Sequence, residues 1–160
     1  MRINHLAAAA AALLLLSFAS PATAQNTVLT ITGKVSAGKE INLTLPDIEA
    51  MGTARIVTTT PWHDGKVTFE GVPMSELMEA VGAEGTTAFV LALNNYGTDI
   101  PLSDFASFET ILAYKMDGQY MEVADKGPLF IIYPYDDNAK LKSELYYSRS
   151  AWQVRSIEIE

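Results

Sequence analysis

The sequence predicts a single compact α+β domain, mostly β, and three observations carry this prediction. Residues 29–32 and 41–45 alternate apolar with polar side chains, as strands with one buried face do. Residues 89–93 and 129–133 are continuous apolar runs, which is typical of strands buried on both faces. Only one stretch, after Pro73, shows a clear helical period. Strands should therefore outnumber helices.

The elements between the first strands are short. Pro46 suits the first turn of a helix and Gly52 suits its end, so we expect a helix over residues 46–51. Residues 55–60 are rich in β-branched side chains, which favour a strand. The main helix begins at Pro73, carries apolar residues at helical spacing and ends at Gly82. Its apolar stripe consists of Met74, Leu77, Met78 and Val81.

The second half of the chain predicts a hairpin and an irregular last strand. Residues 111–114 and Tyr120 flank Asp117-Gly118, a pair that favours a type I′ turn. Near the end, Trp152 and Val154 share one alternation phase, whereas Ile157 and Ile159 share the other. A β-bulge at Arg155-Ser156 would reconcile the two phases.

The N-terminal residues predict export. Arg2 is followed by an apolar run from Leu6 to Phe18, and Ala22-Thr23-Ala24 offers small residues to a signal peptidase. The run spans roughly 13 residues, short of the about 20 that a transmembrane helix needs. We therefore expect a signal peptide over residues 1–24, cleavage before Gln25, a domain over residues 25–160, and a periplasmic protein that does not insert into the membrane after cleavage.

Composition narrows the function classes. The formal net charge is −8, which disfavours nucleic acid and anionic membrane surfaces as partners. The chain has no cysteine, and His63 is the sole histidine after residue 24, so a zinc site of the usual nitrogen and sulfur ligands is not expected. One histidine without a nucleophile-elbow sequence also argues against a Ser-His-Asp hydrolase.

Polar and aromatic residues concentrate in the loops at strand ends, where ligand sites usually lie. Several of these residues have a structural alternative: a ring at the core edge for Trp62, a turn for Asn94-Asn95 and a surface ion pair for Arg149. We expect His63 to be a solvated loop residue and residues 136–138 to be a turn rather than a calcium loop. The candidate ligand-binding residues are Trp62, Asn94, Asn95, Tyr96, Lys126, Tyr133, Arg149 and Trp152.

The order of several motifs resembles the sulfite-oxidase-like molybdopterin-binding domain family. The resemblance begins at residues 69–74, a Phe-x-Gly-Val-Pro-x segment, and runs through 94–96, 111–118 and 127–134 to the closing Trp152 strand. It is similar in particular to short, exported, single-domain members. The resemblance implies a mostly-β α+β fold with a site for a pterin.

One feature departs from the family pattern. In the family's enzymes a cysteine on the loop after an early strand ligates molybdenum, whereas residues 58–62 here read Thr-Thr-Thr-Pro-Trp. A threonine hydroxyl is a much poorer ligand than a thiolate for that metal. The sequence therefore favours a metal-free pterin ligand over a molybdenum cofactor and names no catalytic or metal-ligating residue.

A pterin is flat, with a face that stacks on aromatic rings and an edge rich in donors and acceptors. Trp62, Tyr96, Tyr133 and Trp152 can supply ring faces, and Asn94, Asn95 and Arg149 can bind the edge. We expect a periplasmic pterin-binding protein that signals ligand occupancy to the periplasmic domain of a membrane receptor. Two alternatives stay open: an oxidoreductase subunit whose molybdopterin metal has non-cysteine ligands, and a ligand-free interaction domain.

Overall fold

The computed structural model describes residues 26–160, and the predicted signal peptide lies outside them. Strands dominate, which confirms the α+β, mostly-β fold class. The strands are β1 (Thr27–Gly33), β2 (Ile41–Thr44), β3 (Ala54–Thr60), β4 (His63–Pro73), β5 (Thr87–Ala92), β6 (Gly97–Pro101), β7 (Ile111–Met116), β8 (Gln119–Tyr120), β9 (Phe130–Ile132) and β10 (Val154–Ile159). The α-helices are α1 (Leu45–Ala50), α2 (Met74–Ala80), α3 (Leu102–Ser107) and α4 (Glu144–Arg149).

The first sheet has five strands in the order β2-β1-β10-β5-β6. The last strand of the chain thus lies at its centre, parallel to β1 and antiparallel to β5. The register between β10 and β5 shifts between Val154 and Ser156, which confirms the bulge predicted from the change of phase.

The second sheet joins β3, β4, β7 and β8 in that order, and β9 pairs with β7 as well. Asp117 and Gly118 connect β7 to β8 with φ angles of 48° and 81°. Positive φ at both central residues is the signature of a type I′ turn, as the sequence predicts.

The two long apolar runs differ in burial. All five residues of 129–133 are fully buried, so this prediction is confirmed. In the other run, Phe89 and Leu91 are only half-buried and Leu93 is 48% exposed. The expectation for 89–93 was therefore wrong, because β5 turns one face to the core and the other partly to solvent.

The short helices pack against the core with one side. Thr44 and Asp47 form a capping box that starts α1 one residue before the predicted start. Helix α2 buries Met74, Leu77 and Met78, as its apolar stripe predicts. No helix within residues 26–160 is long and apolar enough to cross a bilayer.

Buried apolar residues form two clusters. The larger cluster joins the first sheet and the four helices to residues of β4, β7 and β9, and the smaller lies on the second sheet around Phe69 and Phe130. Trp62, in the turn between β3 and β4, packs against both clusters. This position puts one residue of the predicted site at the junction of the two halves of the core.

Candidate functional site

Trp62 is the centre of an aromatic cluster. Its ring centroid lies 5.5 Å from those of Phe130 and Trp152, 5.9 Å from that of Tyr147 and 6.4 Å from that of Tyr135. The interplanar angles of these pairs lie between 56° and 75°, the tilted and edge-on geometries that aromatic pairs prefer. The ring of Trp62 is thereby fixed in orientation while part of it stays accessible.

A cleft of about 270 Å³ opens on one side of Trp62. The turn after β5, helix α4 and the segment before β10 form its other walls. The lining residues are Trp62, Asn94, Tyr96, Glu144, Tyr147, Ser148, Ser150 and Trp152. The structure thus brings four of the sequence-predicted residues into one cleft: Trp62, Asn94, Tyr96 and Trp152.

The turn at residues 94–96 is tied to α4. Asn94 Oδ1 accepts a hydrogen bond from the backbone N–H of Tyr96 at 2.9 Å, and Asn95 has a φ of 65°, as expected for an Asn in a turn. The Tyr96 hydroxyl donates to the Ser148 carbonyl oxygen at 2.6 Å. This bond joins two of the segments that line the cleft, the turn after β5 and helix α4.

A second, smaller cleft of about 230 Å³ also borders Trp62, and its other lining residues are His63, Met116, Ala124, Asp125 and Lys126. Lys126 Nζ lies 4.7 Å from the Trp152 ring centroid, within cation–π range. Desolvation, and then the positive charge of Lys126, lower the pKa of His63. His63 begins β4 rather than lying in a loop, and its Nδ1 shares a 2.8 Å hydrogen bond with Thr60 Oγ1.

Two other predicted site residues, Arg149 and Tyr133, meet at Asp104. Arg149 donates to Asp104 Oδ2 at 2.7 Å, and the Tyr133 hydroxyl donates to the same oxygen at 3.2 Å. Tyr133 is fully buried, and burial raises the pKa of its hydroxyl strongly. Neither residue lines the cleft beside Trp62. The Arg149 guanidinium, on α4, and the Tyr133 hydroxyl, in the core, are both hydrogen-bonded to Asp104 on α3 and so tie the two helices to the core. Asn95 is exposed at the turn and Lys126 lies in the smaller cleft.

The candidate ligand-binding residues predicted from the sequence do not include Glu144, Tyr147, Ser148 and Ser150, although all four line the cleft. Residues 144, 147 and 148 lie at i, i+3 and i+4 on α4 and so share a helix face. The signal was present in the sequence as this spacing, but a helix of six residues is too short for the period to stand out.

Thr58, Thr59 and Thr60, in the segment that the resemblance matches to the metal-binding loop of the family, already have hydrogen-bond partners. The Thr58 hydroxyl donates to the Thr59 carbonyl and accepts from the Asp136 N–H. The Thr59 hydroxyl donates to Asp136 Oδ1 at 2.7 Å, and the Thr60 oxygen accepts from the Trp62 N–H at 3.2 Å. These donors do not fit a molybdenum ion, which favours a free anionic sulfur.

Asp136 organises this segment. It accepts hydrogen bonds from Thr59 and forms an ion pair with Lys142 at 2.7 Å, and Lys66 lies 3.8 Å away. The Lys142 ammonium and the Thr59 donors hold the pKa of Asp136 well below its usual range. Within residues 26–160, no group of three or more His, Cys, Asp or Glu side chains is arranged to hold a metal ion.

Comparisons with known proteins identify the relatives of this chain. The family model of the oxidoreductase molybdopterin binding domain matches residues 18–136. The sulfane dehydrogenase SoxCD from Paracoccus pantotrophus is similar in structure, with a TM-score of 0.60 and 18% sequence identity. The match covers 84% of this chain but 38% of that one, and the likeness is one of fold. No curated protein matches the sequence. Because the family model covers most of the chain, this protein belongs to the oxidoreductase molybdopterin binding domain family, the sulfite-oxidase-like group that its motifs predict.

Proposed function

We propose that this protein binds a metal-free pterin in the cleft beside Trp62. The observation that carries the proposal is the arrangement of Trp62, Tyr147 and Trp152 around one small cleft in a member of a molybdopterin-binding family. Their rings offer flat apolar surfaces, and the cleft also contains polar side chains. A flat heterocycle with a polar edge matches both features.

The size of the cleft supports a small ligand. At about 270 Å³ it lies below the roughly 300–1,000 Å³ of pockets that enclose drug-sized ligands. A bicyclic pterin ring is smaller than such ligands. A pterin extended by a large phosphorylated group would have to leave much of its length outside the cleft.

The donor set favours a pterin without its metal. The chain has no cysteine, and the three threonine hydroxyls of residues 58–60 are engaged with Asp136, His63 and the backbone. A pterin ring needs neither a thiolate nor a threonine oxygen. A metal-free pterin belongs to the ligand class of the family but lacks the redox metal.

The proposed location rests on the predicted signal peptide, and the proposed role is inferred from that compartment. The signal peptide predicted over residues 1–24 would send the domain to the periplasm, and a binding protein without chemistry of its own needs a partner that senses its ligand. We propose the periplasmic domain of a membrane receptor as that partner. Release with the periplasmic fraction and an intact mass that starts at Gln25 would support this location, and recovery only with membranes would contradict it.

Calorimetric titration of the exported protein with a dihydropterin tests the binding proposal. We expect one site per chain and saturable binding. A flat titration would overturn the proposal and favour a ligand-free interaction domain. Titration alongside with free adenine, a flat base that presents a different edge, controls for unspecific stacking on Trp62.

A further inference from the structure

We infer that Glu144 selects the ligand by accepting hydrogen bonds from the aminopyrimidinone edge of the pterin, an inference that rests on the proposed function. The edge in question carries an exocyclic amino group beside a ring N–H. Glu144 lines the cleft, and none of the other residues that line it carries a carboxylate side chain.

Helix α4 presents Glu144 to the cleft together with aromatic and polar neighbours. Glu144, Tyr147 and Ser148 share one helix face, and all three line the cleft. The hydrogen bond from the Tyr96 hydroxyl to the Ser148 carbonyl fixes this face relative to the opposite wall. Glu144 and Tyr147, three residues apart on this face, are therefore neighbours on the cleft wall, so a ligand stacked on Tyr147 would have its edge within reach of Glu144.

The carboxylate of Glu144 has no hydrogen bond or ion pair within residues 26–160. The basic residues near it in the chain are committed elsewhere. Lys142 pairs with Asp136, Lys140 Nζ lies 5.4 Å from the Phe108 ring centroid, and Arg149 pairs with Asp104. Glu144 is exposed, so the donors of a ligand would replace water on a carboxylate that no protein group occupies.

Most of the other polar side chains that line the cleft already form hydrogen bonds with protein groups. The Ser148 hydroxyl donates to the Leu145 carbonyl, and the Ser150 hydroxyl contacts the Tyr135 hydroxyl and donates to the Tyr146 carbonyl. Asn94 Oδ1 is bonded to the Tyr96 N–H, which leaves its amide donors available. Glu144 is therefore the strong acceptor of this site, and Asn94 is a donor for a ligand oxygen or ring nitrogen.

Adjacent donors on a flat edge match the two oxygens of one carboxylate, as in the paired hydrogen bonds of arginine with carboxylates. A lumazine has the same bicyclic ring but carries an oxygen in place of the exocyclic amino group. That oxygen would face the Glu144 carboxylate without a proton between them. The site should therefore prefer a pterin to the matching lumazine.

The test measures the affinities of a dihydropterin and a dihydrolumazine for the wild-type protein and for Glu144→Gln. We expect the wild type to bind the pterin at least about tenfold more tightly, since a hydrogen bond to a charged group is among the stronger ones. Glu144→Gln should lose about tenfold or more in pterin affinity and about twofold or less in lumazine affinity. Glu158→Gln removes the same charge from an exposed position on β10 and should leave both affinities unchanged.

Three other outcomes would contradict the inference, each for a different reason. If Glu144→Gln keeps the wild-type preference, the inference is wrong although pterin binding stands. If both affinities fall equally, Glu144 acts on the shape of the cleft and does not select the ligand, which also overturns the inference. If the wild type binds neither compound, the proposed function fails and the inference fails with it. Thermal melts of both variants verify that the folded protein was measured.

Discussion

Trp62 serves the fold and the proposed site with the same ring. It packs against both apolar clusters and lies against four aromatic rings, yet it also lines two clefts. From the sequence alone, core edge and ligand stacking were alternatives. The structure makes them compatible, because Trp62 packs within the aromatic cluster while part of its side chain stays accessible beside the cleft.

Replacement of Trp62 separates these two contributions. Trp62→Ala should weaken dihydropterin binding about tenfold or more and lower the free energy of unfolding by about 2 kcal/mol, less than a fully buried Trp would cost. Trp62→Phe should recover most of the stability but only part of the affinity. Calorimetry and urea unfolding measure the two effects. Wild-type affinity in Trp62→Ala would place the ligand elsewhere.

Asp136 makes stability depend on pH at the acidic end. Its pKa is lowered by Lys142 and Thr59, so its folded-state value lies below the ordinary 3.8. The stabilisation is therefore complete above pH 3.8 and is lost as the pH falls toward the folded-state pKa. Asp136→Asn should be less stable than the wild type at neutral pH, by about 1–2 kcal/mol, and the gap should close in acid.

Urea unfolding at a series of pH values measures this effect. Asp137→Asn is the matched control, because Asp137 is the exposed neighbour and its carboxylate makes no hydrogen bond or ion pair in the described part of the chain. A constant difference between wild type and Asp136→Asn down to about pH 2 would show that the carboxylate does not depend on these partners.

At the scale of elements, helix α4 determines the shape of the cleft. Three of its residues line the cleft, while Arg149 at its end forms an ion pair with Asp104 on α3. The two side chains are 17% and 10% exposed, so the pair is largely removed from water. The sequence predicted Arg149 as a ligand contact, but composition alone cannot show which acidic residue lies nearby.

Loss of Arg149 leaves the Asp104 carboxylate buried with only the Tyr133 hydroxyl as a partner. Arg149→Ala should therefore destabilise the protein by about 2–4 kcal/mol, somewhat less than for a fully buried pair. The double variant Arg149→Ala/Asp104→Ala should lose less than the sum of the two single variants. A double-mutant cycle by urea unfolding measures this coupling, and strictly additive losses would contradict it.

The elements themselves were predictable to different degrees. Helix α2 and the Asp117-Gly118 hairpin carry local signals, namely an apolar period and a turn pair, and both were predicted. Helices α3 and α4 have six residues each, less than two turns, so no period marks them. Strand β5 was assigned a wrong burial because its apolar run reflects β-propensity as well as position in the sheet.

For the whole molecule, the decisive contacts are those between distant parts of the chain. Strand β10 lies between β1 and β5, and Asp136 binds Thr59 across 77 residues of sequence. Motif order predicted the fold because the family shares this topology. The cleft could be predicted only in part, since Trp62, Asn94, Tyr96 and Trp152 were recognisable as residue types but Glu144 required the position of α4.

The metal content of the intact protein is the broadest test of the proposal. Protein purified from its native compartment should contain far less than one molybdenum per chain, because residues 58–60 offer hydroxyls that already have partners and the chain has no thiolate. Elemental analysis measures this directly. A cysteine-containing member of the family, produced and purified in the same way, is the control for cofactor supply. About one molybdenum per chain in both proteins would overturn the metal-free proposal and favour an oxidoreductase whose metal is held by other ligands.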